Sequence, residues 1–438
     1  MSHIAIVGAG PSGAFAAAAA VKNPDVSVDV FDRLPTPFGL IRYGVAPDHV
    51  KIKSVTRVLS KTFGAERVRF FGNVEYGRDI PVGALHEAYD AVLFATGSTG
   101  SRALGIAGED LIGNYSAADI VPWYNGHPLR GSEMRISEPG EKSTVAIVGA
   151  GNVSLDIARI LLKGRAGLSD TDVPESVLAA LDSHASVDEV HIIVRRGAAD
   201  VRFTLPELQE FDRMSEEDLD VTIYDADLRS EPTAADLADP TAQQRWDLFS
   251  RWATRKPTGA DRRLIFHFGV TPSRIDGVNR VSELTLTQSG HELAPTRTIR
   301  VDAVITSIGY AGEPIPGLEF DHERSVVPNE LGRAGNRTYV AGWIKRGPTG
   351  VVGANKACAG ETMRVLLEDL SAADQDVDRS DARKRLLADL RTKCSPVDWE
   401  GWQRIDNAEV VLGTEFGCNR KKITDHRRLV EIATAVSA

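Results

Sequence analysis

The sequence predicts an α/β fold of two similar three-layer units, the second inserted into the first. Three observations carry this. Short apolar runs of strand length alternate with helix-length segments, the order that builds a parallel sheet. A glycine-rich turn follows such a run directly at Gly8 and again at Gly149. The strand–turn–helix–strand pattern therefore occurs twice, as a coarse internal repeat.

The elements follow in chain order. Residues 4–7 form an apolar run that ends at glycine, residues 14–22 an Ala-rich helix, and residues 26–31 a second strand. That is a β-α-β unit within about thirty residues. A helix is predicted over 50–63, its apolar stripe made by Ile52, Val55, Leu59 and Phe63. Residues 91–95 read as a buried strand running into Thr96-Gly97. The pattern then recurs, with a strand over 144–148, a helix over 152–162 and a strand over 189–194. A polar insert at 164–188 stretches the second unit, and the charge-rich stretch 230–263 reads as loop or helix. Residues 281–287 and 298–306 suggest a strand pair, closed by Ile308-Gly309-Tyr310. A short strand at 339–341 leads through Gly342-Trp343 into a helix over 355–370. The expected division is 1–101 and 313–438 for the first domain and 102–312 for the inserted one.

Composition narrows the function classes. The chain has 438 residues, 42% apolar and 26% charged, with 39 Gly and 21 Pro. That is ordinary globular usage and excludes collagen, coiled coil and wholesale disorder. The net charge of −10 provides no global field for nucleic acid. Three cysteines without a C-x-x-C pair argue against a redox dithiol or a zinc site, so no metal is expected, and their sparse, odd number suits a reducing compartment. The most apolar early run, 14–21, is too short to span a bilayer and lacks a charged leader. A cytoplasmic monomer, with neither membrane nor nucleic-acid partners, is expected.

Gly8-Ala9-Gly10-Pro11-Ser12-Gly13 is a G-x-G-x-x-G turn between strand and helix. Gly8 permits the tight turn, Gly10 lets backbone approach a pyrophosphate, and Gly13 permits close helix–strand packing. The helix N-terminus supplies unpaired N–H groups to the phosphates. Asp32 ends the next strand, placed to bind ribose hydroxyls. These features read as a Rossmann-like dinucleotide site. Gly149-Ala150-Gly151-Asn152-Val153-Ser154 is the second such turn, with Ser154 for the third glycine. Its following strand ends in Arg195-Arg196 instead of an acid. An acid would repel a 2′-phosphate, whereas two guanidinium groups would clamp it, so the second nucleotide is NADP(H). Two dinucleotide sites with different ribose partners imply one retained and one exchanged cofactor, which points to a flavoprotein taking hydride from a nicotinamide. The glycines of 346–353 suit backbone N–H groups turned toward a flavin edge where negative charge develops.

Three stretches resemble the adrenodoxin-reductase type of ferredoxin–NADP⁺ reductase, bacterial members in particular. They are Pro35-Thr36-Pro37-Phe38-Gly39-Leu40-Ile41-Arg42-Tyr43-Gly44-Val45-Ala46-Pro47-Asp48-His49, then Leu155-Asp156-Ile157-Ala158-Arg159 after the second turn, and Trp343-Ile344-Lys345-Arg346-Gly347-Pro348-Thr349-Gly350-Val351-Val352. The resemblance covers nearly the whole chain. It implies FAD contacts at Gly13, Asp32, Leu40, Tyr76, Trp343, Gly350, Val351 and Val352. It implies NADP(H) contacts at Arg102, Asn152, Val153, Ser154, Leu155, Arg195, Arg196, Glu207 and Gly350. Asp32 stands where the family usually has Glu, and Tyr76 where it usually has Val. Gly197-Ala198 follows Arg196, without the third arginine or proline of the family.

His49, which closes the first motif, and Glu210, one helical turn after Glu207, are the acid–base candidates for a proton relay. Lys53, Arg57 and Lys61 recur at i, i+4, i+8 opposite the apolar stripe of the 50–63 helix. Arg420, Lys421, Lys422, Arg427 and Arg428 form a second basic cluster. A ferredoxin is an acidic iron–sulfur carrier, so these are expected docking surfaces. The expected activity is NADPH to FAD to ferredoxin. The alternative is a reductase subunit like the small subunit of glutamate synthase, which carries paired glycine turns but also a cysteine-rich iron–sulfur domain that three cysteines could not build. A module that only senses NADP(H) would need no flavin.

Overall fold

The computed structural model describes residues 1–130, 136, 142–183, 186–216, 218–224, 228, 239–290, 296–350, 352–372 and 377–435. The chain divides into two units, one of Met1–Gly100, Asn125–Leu129 and Tyr310–Ala438, the other of Ser101–Tyr124 and Arg130–Gly309. Among the described residues no helix is long and apolar enough to cross a membrane.

In the first unit, alternation along the strand Ser2–Val7 sends Ile4 and Ile6 to one face and Ala5 and Val7 to the other, each into its own core. Both faces are apolar, as a parallel strand covered on both sides requires. The six-stranded sheet runs Arg333–Gly335, Thr338–Val340, Ala91–Phe94, Ser2–Val7, Val26–Phe31, Val68–Phe71. Its pairs are parallel except for the Arg333–Gly335 edge. The helix Pro11–Ala20 starts on a proline suited to the first turn. Its alanines pack with Ala359, Met363 and Leu366 of the helix Val352–Ala372. Ala84–Ala88 and Ser380–Lys393 cover the opposite face through Leu85 and Leu390.

In the second unit an all-parallel sheet runs Asn114–Ser116, Ala303–Thr306, Lys142–Val148, Ser186–Val194, Arg262–Phe268, Leu219–Ile223. One face buries Val145, Ile147, Val190, Ile192 and Phe266 under helices, among them Asn152–Lys163 and Pro240–Thr254. The other buries Ala146, Val148, Ile193 and Val304 under a three-stranded antiparallel sheet. That sheet is Val270–Gly277, Val281–Gln288 and Arg297–Arg300.

Four expectations are corrected. The predicted 50–63 helix is two pieces, Val50–Lys53 and Thr56–Phe63, and Ile52 of its supposed apolar stripe is exposed. The predicted 298–306 strand is two strands in different sheets. The polar insert contains the helix Glu175–Ser183, whose Val177, Leu178 and Leu181 join the core together with Leu168 and Val173. Arg420, Lys421 and Lys422 are no exposed cluster. Lys421 and Lys422 are buried, and Arg420 pairs with Asp406 and Glu409. Lys422 Nζ donates to the backbone oxygens of Arg42 at 2.8 Å and Asn125 at 3.1 Å. The sequence spacing showed the charges but not these distant partners.

Candidate functional site

Two glycine cradles stand at the carboxyl ends of the two parallel sheets, where ligands of open α/β sheets bind. In the first, Gly8 has φ +107°, and a Cβ on it would meet Ala95 O at 2.5 Å. A Cβ on Gly13 would meet Gly8 O at 1.9 Å, so this glycine seats the helix on the turn. Gly10 differs, because the nearest protein atom to a Cβ there is Gly39 Cα at 3.9 Å. The space in front of Gly10 is open, which suits a pyrophosphate held by the first turn of helix Pro11–Ala20.

Asp32 follows the strand Val26–Phe31. Its Oδ2 accepts from Ala9 N–H at 2.7 Å and its Oδ1 from Leu34 N–H at 2.9 Å. Burial pushes its carboxyl up, against the pull of these two N–H groups. The acid thus braces the turn, with acceptor lone pairs left for ribose hydroxyls. The Pro35–His49 stretch folds back on the turn. Phe38 N–H donates to Ala9 O at 2.9 Å, and Gly39 (φ +47°) brings its backbone against Gly10. Leu40 opens the helix Leu40–Tyr43, which Arg42 pins through a buried 2.5 Å ion pair with Glu409. His49 precedes the short helix Val50–Lys53. Tyr76 lays its ring edge-on to Phe94 at 5.0 Å, and burial pushes its phenol up.

A second turn of the same unit, at Gly342 (φ +77°), packs on the start of helix Pro11–Ala20, since a Cβ there would meet Ser12 Oγ at 2.2 Å. It carries the helix Trp343–Arg346. The Trp343 ring stacks on Tyr310 at 5.9 Å, and its buried Nε1 has no hydrogen-bond partner among the described residues. Gly350 has φ +78°, Val352 begins the long helix, and Val351 lies outside the described residues.

In the second unit a Cβ on Gly149 would meet Ser307 O at 2.3 Å, while one on Gly151 would meet nothing within 4 Å. The tight and open glycines thus repeat the pattern of Gly8 and Gly10. Ser154 is fully buried with its hydroxyl unpartnered among the described residues. Val153 is half-buried and Leu155 buried. Arg195 and Arg196 follow the strand whose Ile193 O accepts from Gly149 N–H at 3.0 Å. Both are exposed, as is Arg102, whose N–H donates to Gly309 O. Asn152 pairs with Thr204, its Oδ1 accepting from the Thr204 N–H at 2.9 Å.

Glu207 and Glu210 share the helix Leu205–Met214 and face the fully buried Arg159 of the turn helix Asn152–Lys163. Glu207 Oε2 lies 3.0 Å and Glu210 Oε2 3.6 Å from its guanidinium, which also holds Asp156 at 2.6 Å. Glu210 further pairs with Arg213 at 3.4 Å. His49 belongs to the first unit and Glu210 to the second. Sequence reasoning missed Arg159 as the residue that ties these two helices, although it closes a motif already singled out. It also missed Arg202, whose N–H donates to Ala150 O of the second turn at 3.3 Å.

A family model described as an NAD(P)-binding Rossmann-like domain matches residues 6–71. The chain is 39% identical over 455 residues to the NADPH-ferredoxin reductase FprA of Mycobacterium leprae (strain TN), covering 98% of each. It is 34% identical over 467 residues to the mitochondrial NADPH:adrenodoxin oxidoreductase of Arabidopsis thaliana, covering 98% of this chain and 95% of that one. The solved structure of Mycobacterium tuberculosis FprA in complex with NADPH matches at a TM-score of 0.91 and 36% identity, covering 99% of this chain and all of the other.

Proposed function

From a chain that belongs to the family of NADPH-dependent ferredoxin and adrenodoxin reductases, we infer an FAD enzyme that oxidises NADPH and delivers electrons singly to a ferredoxin-type iron–sulfur protein. The observation that supports it best is the pair of cradles. Each has an open second glycine, one beside an acid and the other beside two arginines.

The first unit fits FAD. Gly10 leaves room for the pyrophosphate, Asp32 offers acceptors to a ribose, and Trp343 Nε1, without a partner among the described residues, offers a buried donor to the ring system. Leu40, Tyr76, Gly350 and Val352 belong to the same unit. Bound FAD supplies the chemistry, acceptance of two electrons together and their release one at a time. The second unit fits NADP(H) through Gly151, Asn152, Arg195 and Arg196, with Arg102 and Glu207 as further contacts, while the buried Ser154 packs under the turn at the third-glycine position. Hydride transfer needs positioning more than proton exchange. Glu210, shared by Arg159 and Arg213, acts in this reading by fixing its helix, and His49 is the acid–base group.

The coenzyme assignment is tested at the arginine pair. Changing Arg195 and Arg196 together to Ala should lower kcat/KM for NADPH by about two to four powers of ten, each guanidinium–phosphate bond being worth roughly 1.5–3 kcal/mol. NADH turnover should barely move. An unchanged NADPH/NADH ratio would remove the assignment. The proposed enzyme is a cytoplasmic monomer, which sedimentation of the flavin-loaded protein would check.

A further inference from the structure

We propose that Arg202 is a third cationic contact for the nicotinamide coenzyme, and that it serves the pyrophosphate and not the 2′-phosphate. This rests on the assignment of the second unit to NADP(H).

The segment before helix Leu205–Met214 is extended, with ψ of 152° at Val201 and 146° at Thr204. Side chains of extended backbone alternate. Val201 and Phe203 are buried, and Arg202 and Thr204 are exposed. This segment is laced along the glycine turn. Arg202 N–H donates to Ala150 O at 3.3 Å and Thr204 N–H to Asn152 Oδ1 at 2.9 Å, while Asn152 Nδ2 donates to Thr204 Oγ1 at 3.1 Å. The exposed side of the segment is therefore the side that meets Asn152, the first residue of helix Asn152–Lys163. Arg202 lies on that side, one step from the turn.

Its guanidinium has no hydrogen-bond or ion-pair partner among the described residues, unlike Arg159 two turns into the same helix, which three carboxylates surround. A cation without a carboxylate beside it remains available to an anion. The anion that belongs at a glycine turn with an open second glycine is a dinucleotide pyrophosphate. Arg195 and Arg196 instead end the strand Ser186–Val194, where the ribose is read. The cations thus divide by the part of the coenzyme they meet. NADPH and NADH share the pyrophosphate and differ at the 2′-phosphate. Arg202 sets affinity for both coenzymes and selectivity for neither.

The test is equilibrium titration of the flavin-loaded enzyme with NADP⁺ and with NAD⁺, for wild type, Arg202→Gln, Arg202→Lys and the Arg195→Ala/Arg196→Ala pair. Arg202→Gln should weaken both ligands about tenfold, or roughly 1.4 kcal/mol, with their ratio unchanged. Arg202→Lys should recover most of the loss. The arginine pair should collapse the ratio. If Arg202→Gln weakened NADP⁺ alone, Arg202 would read the 2′-phosphate and the proposal would be wrong. If it weakened neither, Arg202 is a solvated side chain. An unchanged ratio in the Arg195/Arg196 variant would overturn the coenzyme assignment, and this proposal with it, whatever Arg202→Gln does.

Discussion

Gly10 and Gly13 occupy the same motif, yet the protein around them makes opposite demands. A side chain at Gly13 would collide with the backbone of Gly8, whereas one at Gly10 would enter open space. Gly10→Val should therefore fold, with a thermal midpoint close to that of flavin-free wild type, and purify colourless. Gly13→Ala should lose stability by about 1–3 kcal/mol, the usual cost of overpacking. Flavin absorbance relative to protein absorbance, with a thermal melt of each variant, separates the two. Full flavin in Gly10→Val would mean the first turn is misread. At this scale the sequence was informative about local placement: the tight turn at Gly8, and Asp32 and Arg195-Arg196 directly after their strands. It was silent where a residue's partner lies far along the chain. Arg159 with Glu207 and Arg42 with Glu409 are ion pairs that no spacing rule announces.

Strands were legible where both faces are apolar and less so where sheets change hands. Arg262–Phe268 belongs to the parallel sheet, and after Gly269 (φ +68°) the chain enters the antiparallel layer as Val270–Gly277. Charged residues at either end hid this switch. It buries a polar chain on strands Ser186–Val194 and Arg262–Phe268. Glu189 Oε1 meets His191 Nε2 at 2.7 Å, and His191 Nδ1 meets His267 Nε2 at 2.7 Å. Tyr224 lies against His267, and Arg297 stacks on Tyr224. Burial, aided by the neighbouring His191 and Arg297, pushes His267 down to about 2. The unfolded chain takes up this proton near pH 6.5, and the folded chain resists it. Stability from His267 is thus complete above about pH 6.5 and is lost as pH falls toward 2, at up to about 1.4 kcal/mol per pH unit. Glu189, held low by His191 and Arg263, adds loss in the same direction at lower pH. Denaturant melts between pH 5 and 7 should show a shallower acid slope for His267→Phe than for wild type. Equal slopes would mean that this ring titrates normally in the folded chain.

For the whole molecule, net charge understates what a partner meets. In a chain of −10, Lys51, Arg57 and Lys61 are exposed together with Val50, Ile52 and Val58. Lys53 instead donates to Asn125 Oδ1 at 3.3 Å. An apolar centre with basic neighbours suits an acidic iron–sulfur protein. Arg57→Glu with Lys61→Glu should slow ferredoxin reduction severalfold and flatten its fall with salt, since the Debye length shrinks from about 10 Å at 0.1 M to about 3 Å at 1 M. Ferricyanide reduction by the same variant should stay near wild type. Unchanged ferredoxin turnover and salt dependence would leave this stretch a solvated surface.

The five residues Asn125–Leu129 make the second unit less portable than its sequence position suggests. The chain passes between units four times, at 100/101, 124/125, 129/130 and 309/310. Asn125 is fully buried and receives the Lys422 ammonium through both its backbone and side-chain oxygens. A cassette excised at the outer two junctions takes this acceptor along. It leaves behind a buried lysine stripped of two of its oxygens, a loss of the kind that costs about 1–3 kcal/mol per unsatisfied group and more for a charged one. Exchanging coenzyme specificity between relatives by swapping the whole insert would transplant part of the recipient's own interior. Exchanging 101–124 and 130–309 while keeping the recipient's Asn125–Leu129 spares that anchor.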